Sequence, residues 1–308
     1  DKYFEDFKDV KGQQIAKRAS LISATGFHNI ILEGSPGCGK SMIAQRLRYI
    51  LPPMSIEDIL DTAKLQVLDS QDAKFEPLRS FKNPHHTSTP ASIFGGGSSK
   101  AKIGEIGLAN GGILFFDELP HFSKKVLESL REPMQDNKIR ISRVNSKIQY
   151  DANFLFIGAM NPCPCGNLLD ENKECRCSEL EIMRYKNRLS EPFLDRIDIY
   201  VVMQNVDFKD KADITSKQMH TQVIEANRFR QRRGQINFNA KMSDDEILNH
   251  CQLDDEATNI LQQAVQRFAL SFRAIKKIQK VARTIADLEQ SNNIKKSHIF
   301  EALSYRKR

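Results

Sequence analysis

The chain has 308 residues, 40% hydrophobic and 28% charged, the make-up of a soluble globular protein with room for a full core and two domains. Its longest apolar stretches, such as Phe154 to Met160, are far too short to span a bilayer, and the acidic-aromatic start Asp1-Lys2-Tyr3-Phe4-Glu5-Asp6 is no signal peptide, so the cytoplasm is the expected compartment and no membrane partner is expected. A net charge of +7 and a pI near 9.0 are compatible with a polyanionic partner without requiring one.

The first informative element is an apolar run, Ile30-Ile31-Leu32, followed by Gly34-Ser35-Pro36-Gly37-Cys38-Gly39-Lys40-Ser41 and then a helical pattern from Met42 to Leu51 that stops at Pro52-Pro53. Strand, glycine loop G-x-x-x-x-G-K-[ST] and helix in that order form a nucleoside triphosphate site. Gly34, Gly37 and Gly39 let successive N–H groups face phosphate oxygens; Lys40 is expected at the β- and γ-phosphates and Ser41 on Mg²⁺. Cys38 occupies a variable position of the loop.

Residues 84–112, dense in Gly, Ser and Thr and carrying the pair His85-His86, are too long for an ordinary connection and read as a functional loop or as disorder. The histidines are expected to be exposed, with contact to a metal or phosphate as the alternative. Next, Ile113-Leu114-Phe115-Phe116 predicts a buried strand that delivers Asp117 and Glu118 at its carboxyl end, where ligands of parallel sheets bind. Asp117 is the expected magnesium ligand, through water, and Glu118 the general base for the attacking water. Over 138–150 apolar and polar residues alternate about Val144-Asn145-Ser146, which predicts a β-hairpin; Lys138 and Arg140, with Arg143 and Lys147 nearby, suit either a phosphate backbone or an exposed ribbon.

Two further strands are expected over Phe154 to Met160 and Ile197 to Met203. Between them Cys163-Pro164-Cys165 and Cys175-Arg176-Cys177 have a paired spacing that admits one structural zinc, or else four free thiols in a loop; disulfides do not suit the compartment. Beyond Asp207 the pattern is helical, over about Thr215–Arg233, Asp244–His250, Asp255–Phe268, Ala274–Glu289 and Lys295–Tyr305. Ser243 to Glu246 is a capping box, and Ile275, Ile278, Ala282 and Ile285 make a buried stripe. Arg228-Phe229-Arg230-Gln231-Arg232-Arg233 reads either as a solvated helix face or as a nucleic-acid contact. The expected fold is α/β: residues 1–206 a parallel sheet with helices on both faces, carrying the 84–112 insert and the 138–150 hairpin, and residues 207–308 a helical linker and lid. The chain opens on Asp rather than Met, as a piece of a longer protein would.

This order of parts resembles an AAA+ ATPase, and more closely the magnesium-chelatase-like ATPases of the YifB/ComM family. The likeness runs from about Phe7 to Arg306 and rests on Gly26-Phe27-His28-Asn29, the glycine loop, Pro84-His85-His86, Gly104-Glu105-Ile106, Asn161-Pro162-Cys163-Pro164-Cys165-Gly166, Leu194-Asp195-Arg196-Ile197-Asp198 and Ala282-Arg283-Thr284-Ile285-Ala286-Asp287-Leu288. Ile103, Asn110 and Glu191 depart from the usual Pro, His and Gly, in loops away from the phosphate chemistry. The resemblance implies ATP as fuel, Asn161 as the sensor of water and γ-phosphate, Arg196 as an arginine finger for a neighbouring subunit, and Arg273 as a second sensor reaching γ-phosphate from above. It also implies a homo-hexameric ring, the insert and hairpin lining its pore, and a helicase promoting branch migration of DNA during uptake and recombination. Two rival readings are a magnesium-chelatase motor driving metal into a porphyrin and a non-translocating, ATP-switched binding module.

Overall fold

A computed structural model describes residues 5–96, 102–143, 146–207 and 209–307, the side chains of Arg143 and Ser146 excepted. Seven strands are present among them: β1 (Ile30–Glu33), β2 (Phe81–Lys82), β3 (Ile113–Phe116), β4 (Lys138–Arg143), β5 (Ser146–Asp151), β6 (Leu155–Met160) and β7 (Ile199–Val202). Five form one parallel sheet in the order β2-β3-β6-β1-β7, while β4 and β5 make a separate antiparallel hairpin. Every residue of β1, β3 and β6 is buried, as expected of strands covered on both faces. Because β6 lies between β1 and β3, the loops leaving all three meet at one edge, the place where open α/β sheets bind ligands.

Helices α1 (Gln14–Gly26), α2 (Lys40–Leu47), α3 (Ile56–Leu68), α4 (Pro90–Phe94), α5 (Glu105–Leu108), α6 (Lys124–Ser129), α7 (Arg131–Asp136), α8 (Glu179–Lys186) and α9 (Glu191–Leu194) cover the sheet or join its strands. Alternate strand residues feed two apolar clusters. Ile31, Leu114, Phe116 and Phe156 face one that also takes in Val126 and Phe193. Ile30, Leu32, Phe115 and Ile157 face the other, with Ile22 and Ala24 of α1.

The C-terminal part is helical: α10 (Ser216–Arg232), α11 (Asp244–His250), α12 (Asp255–Phe268), α13 (Phe272–Leu288) and α14 (Lys296–Ser304). Ser243 and Glu246 form the expected capping box, and Ile278, Ala282 and Ile285 are buried with Ile275 partly so. These helices share the α1 cluster with β1 and β7, so one apolar core runs through both parts.

Two expectations change. The 84–112 segment is folded on either side of residues 97–101, which lie outside the described residues. Thr89 caps α4 with Pro90 at its first position, Gly95 at φ 86° ends it, and an antiparallel bridge joins Gly96 to Lys102. Ile93 and Ile106 are fully buried, which gives a segment poor in apolar residues enough anchorage. A side chain at Gly104 would meet the backbone of Ile93 and Gly95 at 2.3 Å, so the two short helices close on a glycine. Second, the helix after the glycine loop begins at Lys40 and tightens to a 3₁₀ turn at Arg48–Ile50 before Pro52. The hairpin forms as expected; residues 144 and 145 at its turn lie outside the described residues.

Candidate functional site

Gly37 and Gly39 have φ of 79° and 101° with open space where a Cβ would point, so they are required by backbone conformation. Gly34 is required by contact: a Cβ there would lie 2.5 Å from Sγ of buried Cys38. The loop opens α2, whose first residue is Lys40. The Lys40 ammonium is folded into the loop, donating to the carbonyl oxygens of Gly34 (2.6 Å) and Ser35 (3.0 Å) and to Oδ1 of Asn161 (3.2 Å), and burial lowers its pKa. Among the described residues the buried Ser35 Oγ has no partner.

Ser41 Oγ donates to Asp117 Oδ2 at 3.1 Å, and Asp117 Oδ1 accepts the Glu118 N–H at 2.8 Å. Glu118 has φ 51° and ψ 46°, left-handed backbone unusual for a glutamate and held by the tight turn after β3. Lys40, Ser41, Asp117, Glu118 and Asn161 therefore converge at the carboxyl edge of β1, β3 and β6. A lysine, a hydroxyl beside a carboxylate and a second exposed carboxylate fit a triphosphate with Mg²⁺. Pro36 carries the cysteine loop: a Cβ on Gly166 would be 2.8 Å from its ring.

One member of this cluster is not visible in the sequence. His86 Nε2 lies 3.4 Å from Glu118 Oε2, and its half-buried ring packs near those of His85 (4.3 Å) and His121 (5.7 Å). Pro-His-His fixed the residue's type, but only the fold of the insert brings it to the acid.

Arg196 lies elsewhere. Asn29, just before β1, donates to the Arg196 carbonyl at 3.0 Å and accepts the Phe156 N–H, which ties Arg196 to the amino end of the sheet. Gly34 follows the last residue of β1, five residues on from Asn29 and roughly 16 Å away at about 3.3 Å per residue. The Arg196 guanidinium donates to the Pro192 carbonyl and Gln135 Oε1, and its buried Nε has no partner among the described residues. Arg273 joins it there: it pairs with Asp195 at 3.8 Å, and both arginines line a cavity of about 500 Å³ that includes none of residues 34–41. Arg273, expected as a second sensor reaching γ-phosphate from above, thus lies beside Arg196 and away from Lys40 of its own chain. The stripe of α13 packs into the α1 cluster, and this turns the amino end of the helix toward α9. Burial and then the charge of Arg273 lower the pKa of Arg196.

The sulfurs of Cys163, Cys165, Cys175 and Cys177 all lie within 4.8 Å of one another. Backbone N–H groups of Asn167 and Arg176 draw the Cys165 thiol down to about 6. On the hairpin, register puts Lys138, Arg140 and Lys147 on one face, away from buried Ile139 and Ile141. The arginine cluster of α10 divides. Arg230 is buried, donating to the carbonyls of Gln235, Ile236 and Asn237, and Arg233 pairs with buried Asp287, so these two are structural. His28 is a core residue held by Asp198 (2.9 Å) and Thr284 (2.6 Å). Cys251 is buried.

Sheet order, glycine loop and acid pair, with the asparagine that follows β6, mark a P-loop ATPase of the AAA+ class with a helical C-terminal domain. The family of magnesium chelatase, subunit ChlI, matches residues 6–211, and its C-terminal companion, Magnesium chelatase, subunit ChlI C-terminal, matches 213–306. The competence protein ComM of Haemophilus influenzae is 41% identical over 312 residues, covering 98% of this chain and 60% of its own length. The YifB protein of Escherichia coli is 39% identical over 311 residues with the same coverage, and the magnesium-chelatase 67 kDa subunit of Heliobacterium mobile is 26% identical over 235 residues, 62% of this chain and 35% of its own. The chain belongs to the YifB/ComM family of magnesium-chelatase-like ATPases and spans about 60% of the length of its ComM and YifB relatives. Among the described residues no helix is long and apolar enough to cross a membrane.

Proposed function

We propose that this chain is the ATP-hydrolysing unit of a homo-oligomeric ring, most simply a hexamer, that moves DNA as a branch-migrating helicase. The observation that carries the ring is the position of Arg196: its backbone is tied to Asn29 at the amino end of the sheet, and its side chain lines a cavity with Arg273 that includes none of residues 34–41. It serves a pocket on the next copy. Arg273, in the same basic cavity, acts there with it.

Within one chain Lys40 binds the β- and γ-phosphates of ATP, while Ser41 and Asp117 hold Mg²⁺, which when bound neutralises charge on the phosphate oxygens. Glu118 takes the proton of the attacking water, and Asn161, already hydrogen-bonded to Lys40, orients that water against the phosphate. His86 beside Glu118 links this base to the insert. Glu118→Gln is expected to retain ATP binding while kcat falls about 10²–10⁴-fold, the usual contribution of a general base. Steady-state turnover beside equilibrium binding of a fluorescent ATP analogue checks this, and undiminished turnover places the base elsewhere.

DNA is supported by the face of Lys138, Arg140 and Lys147 and by the name of the Haemophilus relative, a competence protein. Arg140→Ala with Lys147→Ala is expected to flatten the salt dependence of single-strand binding by about 0.7 in log–log slope for each phosphate the hairpin ceases to neutralise. An unchanged slope removes the hairpin from the DNA path. The decisive experiment measures ATPase across protein concentration with forked and single-stranded DNA. Stimulation by DNA with strand displacement supports the helicase. Stimulation without displacement fits an ATP-switched module, and indifference to DNA fits a chelatase motor, the reading that the name of the Heliobacterium relative, a magnesium-chelatase subunit, favours.

A further inference from the structure

Between β6 and α8 the chain runs through residues 161–178 with no helix or strand, and its leucines, Leu168 and Leu169, are exposed. Only Pro162, Cys163 and Gly166 of these residues are buried, all near its start, so apolar burial does little to fix the rest. What it does contain is four cysteine sulfurs drawn to a point from its two ends. Sγ of Cys163 lies 3.5 Å from that of Cys165 and 3.8 Å from that of Cys175, and Cys165 and Cys175 are 3.7 Å apart. None of the four is in a disulfide. Zinc–sulfur bonds of about 2.3 Å in a tetrahedron set sulfurs about 3.8 Å apart, so Cys163, Cys165 and Cys175 have the spacing of ligands around one ion, and Cys177 Sγ lies within 4.8 Å of all three. The Cys165 backbone N–H also donates to Cys177 Sγ at 3.4 Å, the kind of hydrogen bond that steadies a metal-bound thiolate. Cys163 is buried while the others reach the surface, which leaves the ion a way in.

We propose that Cys163, Cys165, Cys175 and Cys177 bind one Zn²⁺ in a closed tetrathiolate site, and that this knot braces the sensor loop against the glycine loop. The brace follows from two contacts. Cys163 is two residues from Asn161, which accepts a hydrogen bond from Lys40, and Gly166, at φ 82°, is so close to Pro36 that even a Cβ would meet the ring at 2.8 Å. With four protein ligands the ion has no open position and takes no part in hydrolysis. The brace rests on the assignment of Lys40 and Asn161 to the nucleotide; the zinc site does not.

The test begins with the whole chain purified from zinc-sufficient cells without chelator. Elemental analysis is expected to find one zinc per chain, and exchange for Co²⁺ to give the intense thiolate-to-cobalt absorption of a tetrahedral sulfur site. Less than about half an equivalent of zinc, or native protein whose cysteine-loop thiols react with a disulfide reagent as fast as free cysteine, overturns the site. Cys175→Ser with Cys177→Ser is expected to lose the metal, and a full equivalent in that variant overturns the ligand assignment. Gly166→Val keeps all four ligands and is expected to retain its zinc while binding a fluorescent ATP analogue about tenfold more weakly, on the scale of one missing charge-assisted hydrogen bond. Full zinc with unchanged analogue affinity overturns the brace and leaves the metal site standing. Because analogue binding is read without hydrolysis, failure of the catalytic roles is distinguishable from either result.

Discussion

Arg196→Ala is expected to lower ATP turnover of the assembled protein by about 10³–10⁵-fold, the range set by removal of an arginine finger, with ATP binding by the separate chain unaffected. The argument is one of distance and supply. Asn29 anchors the Arg196 backbone at the end of the sheet away from Lys40, and the neighbouring Asp195 pairs with Arg273, so the guanidinium of Arg196 is held by neutral oxygens of Pro192 and Gln135. A cation so held can turn to a phosphate on another copy without breaking an ion pair. Two measurements separate action between copies from a local effect. Turnover per wild-type chain should rise with protein concentration. An equimolar mixture of Arg196→Ala and Glu118→Gln, each inactive alone, should recover activity, because some pockets then combine an intact Glu118 with an intact Arg196. Turnover independent of concentration, with no recovery on mixing, rejects the shared pocket.

Arg283→Ala should cost about 3–5 kcal/mol of stability, the usual penalty for breaking a buried charge network from one side. Arg283 is 1% exposed, and its guanidinium donates to Asp287 Oδ1 (3.1 Å) and to the carbonyls of His250 (3.2 Å), Asn292 (2.8 Å) and Ser291. Alanine leaves three carbonyl oxygens without this donor and opens a hole between α11, α13 and the turn before α14. Asp287 keeps Arg233 and Asn239, which limits the damage to the arginine's side of the network. The check is a urea midpoint lowered at constant m-value. Arg228→Ala, on the exposed side of α10, serves as control and should stay within about 0.5 kcal/mol of wild type. A loss no greater than the control's means the carbonyls find other donors.

The nucleotide loop and the acid pair were legible because their chemistry fixes residue type and spacing within a few positions, and continuous apolar runs announced β1, β3, β6 and β7 to within two residues. The long helices were equally plain from their caps and apolar stripes. What failed was contact between segments distant in sequence. Two-residue β2 carries no periodic signal. The insert left a functional loop and disorder both open because Ile93 and Ile106, its anchors, are isolated among Gly and Ser. Nothing near His86 points to Glu118, and the company Arg273 keeps depends on how α13 packs. Arg230 and Arg233 looked like surface charge until the fold supplied the carbonyls and the carboxylate that hold them.

The shared apolar core sets how the chain comes apart. Ile22 of α1, Ile30 of β1 and Ile285 and Ile299 of the C-terminal helices belong to one cluster, so a cut near residue 207 severs the backbone without finding a seam. Either piece alone would bare a broad greasy face to water. Heating should therefore melt sheet and helices together in a single calorimetric peak, neither half outlasting the other.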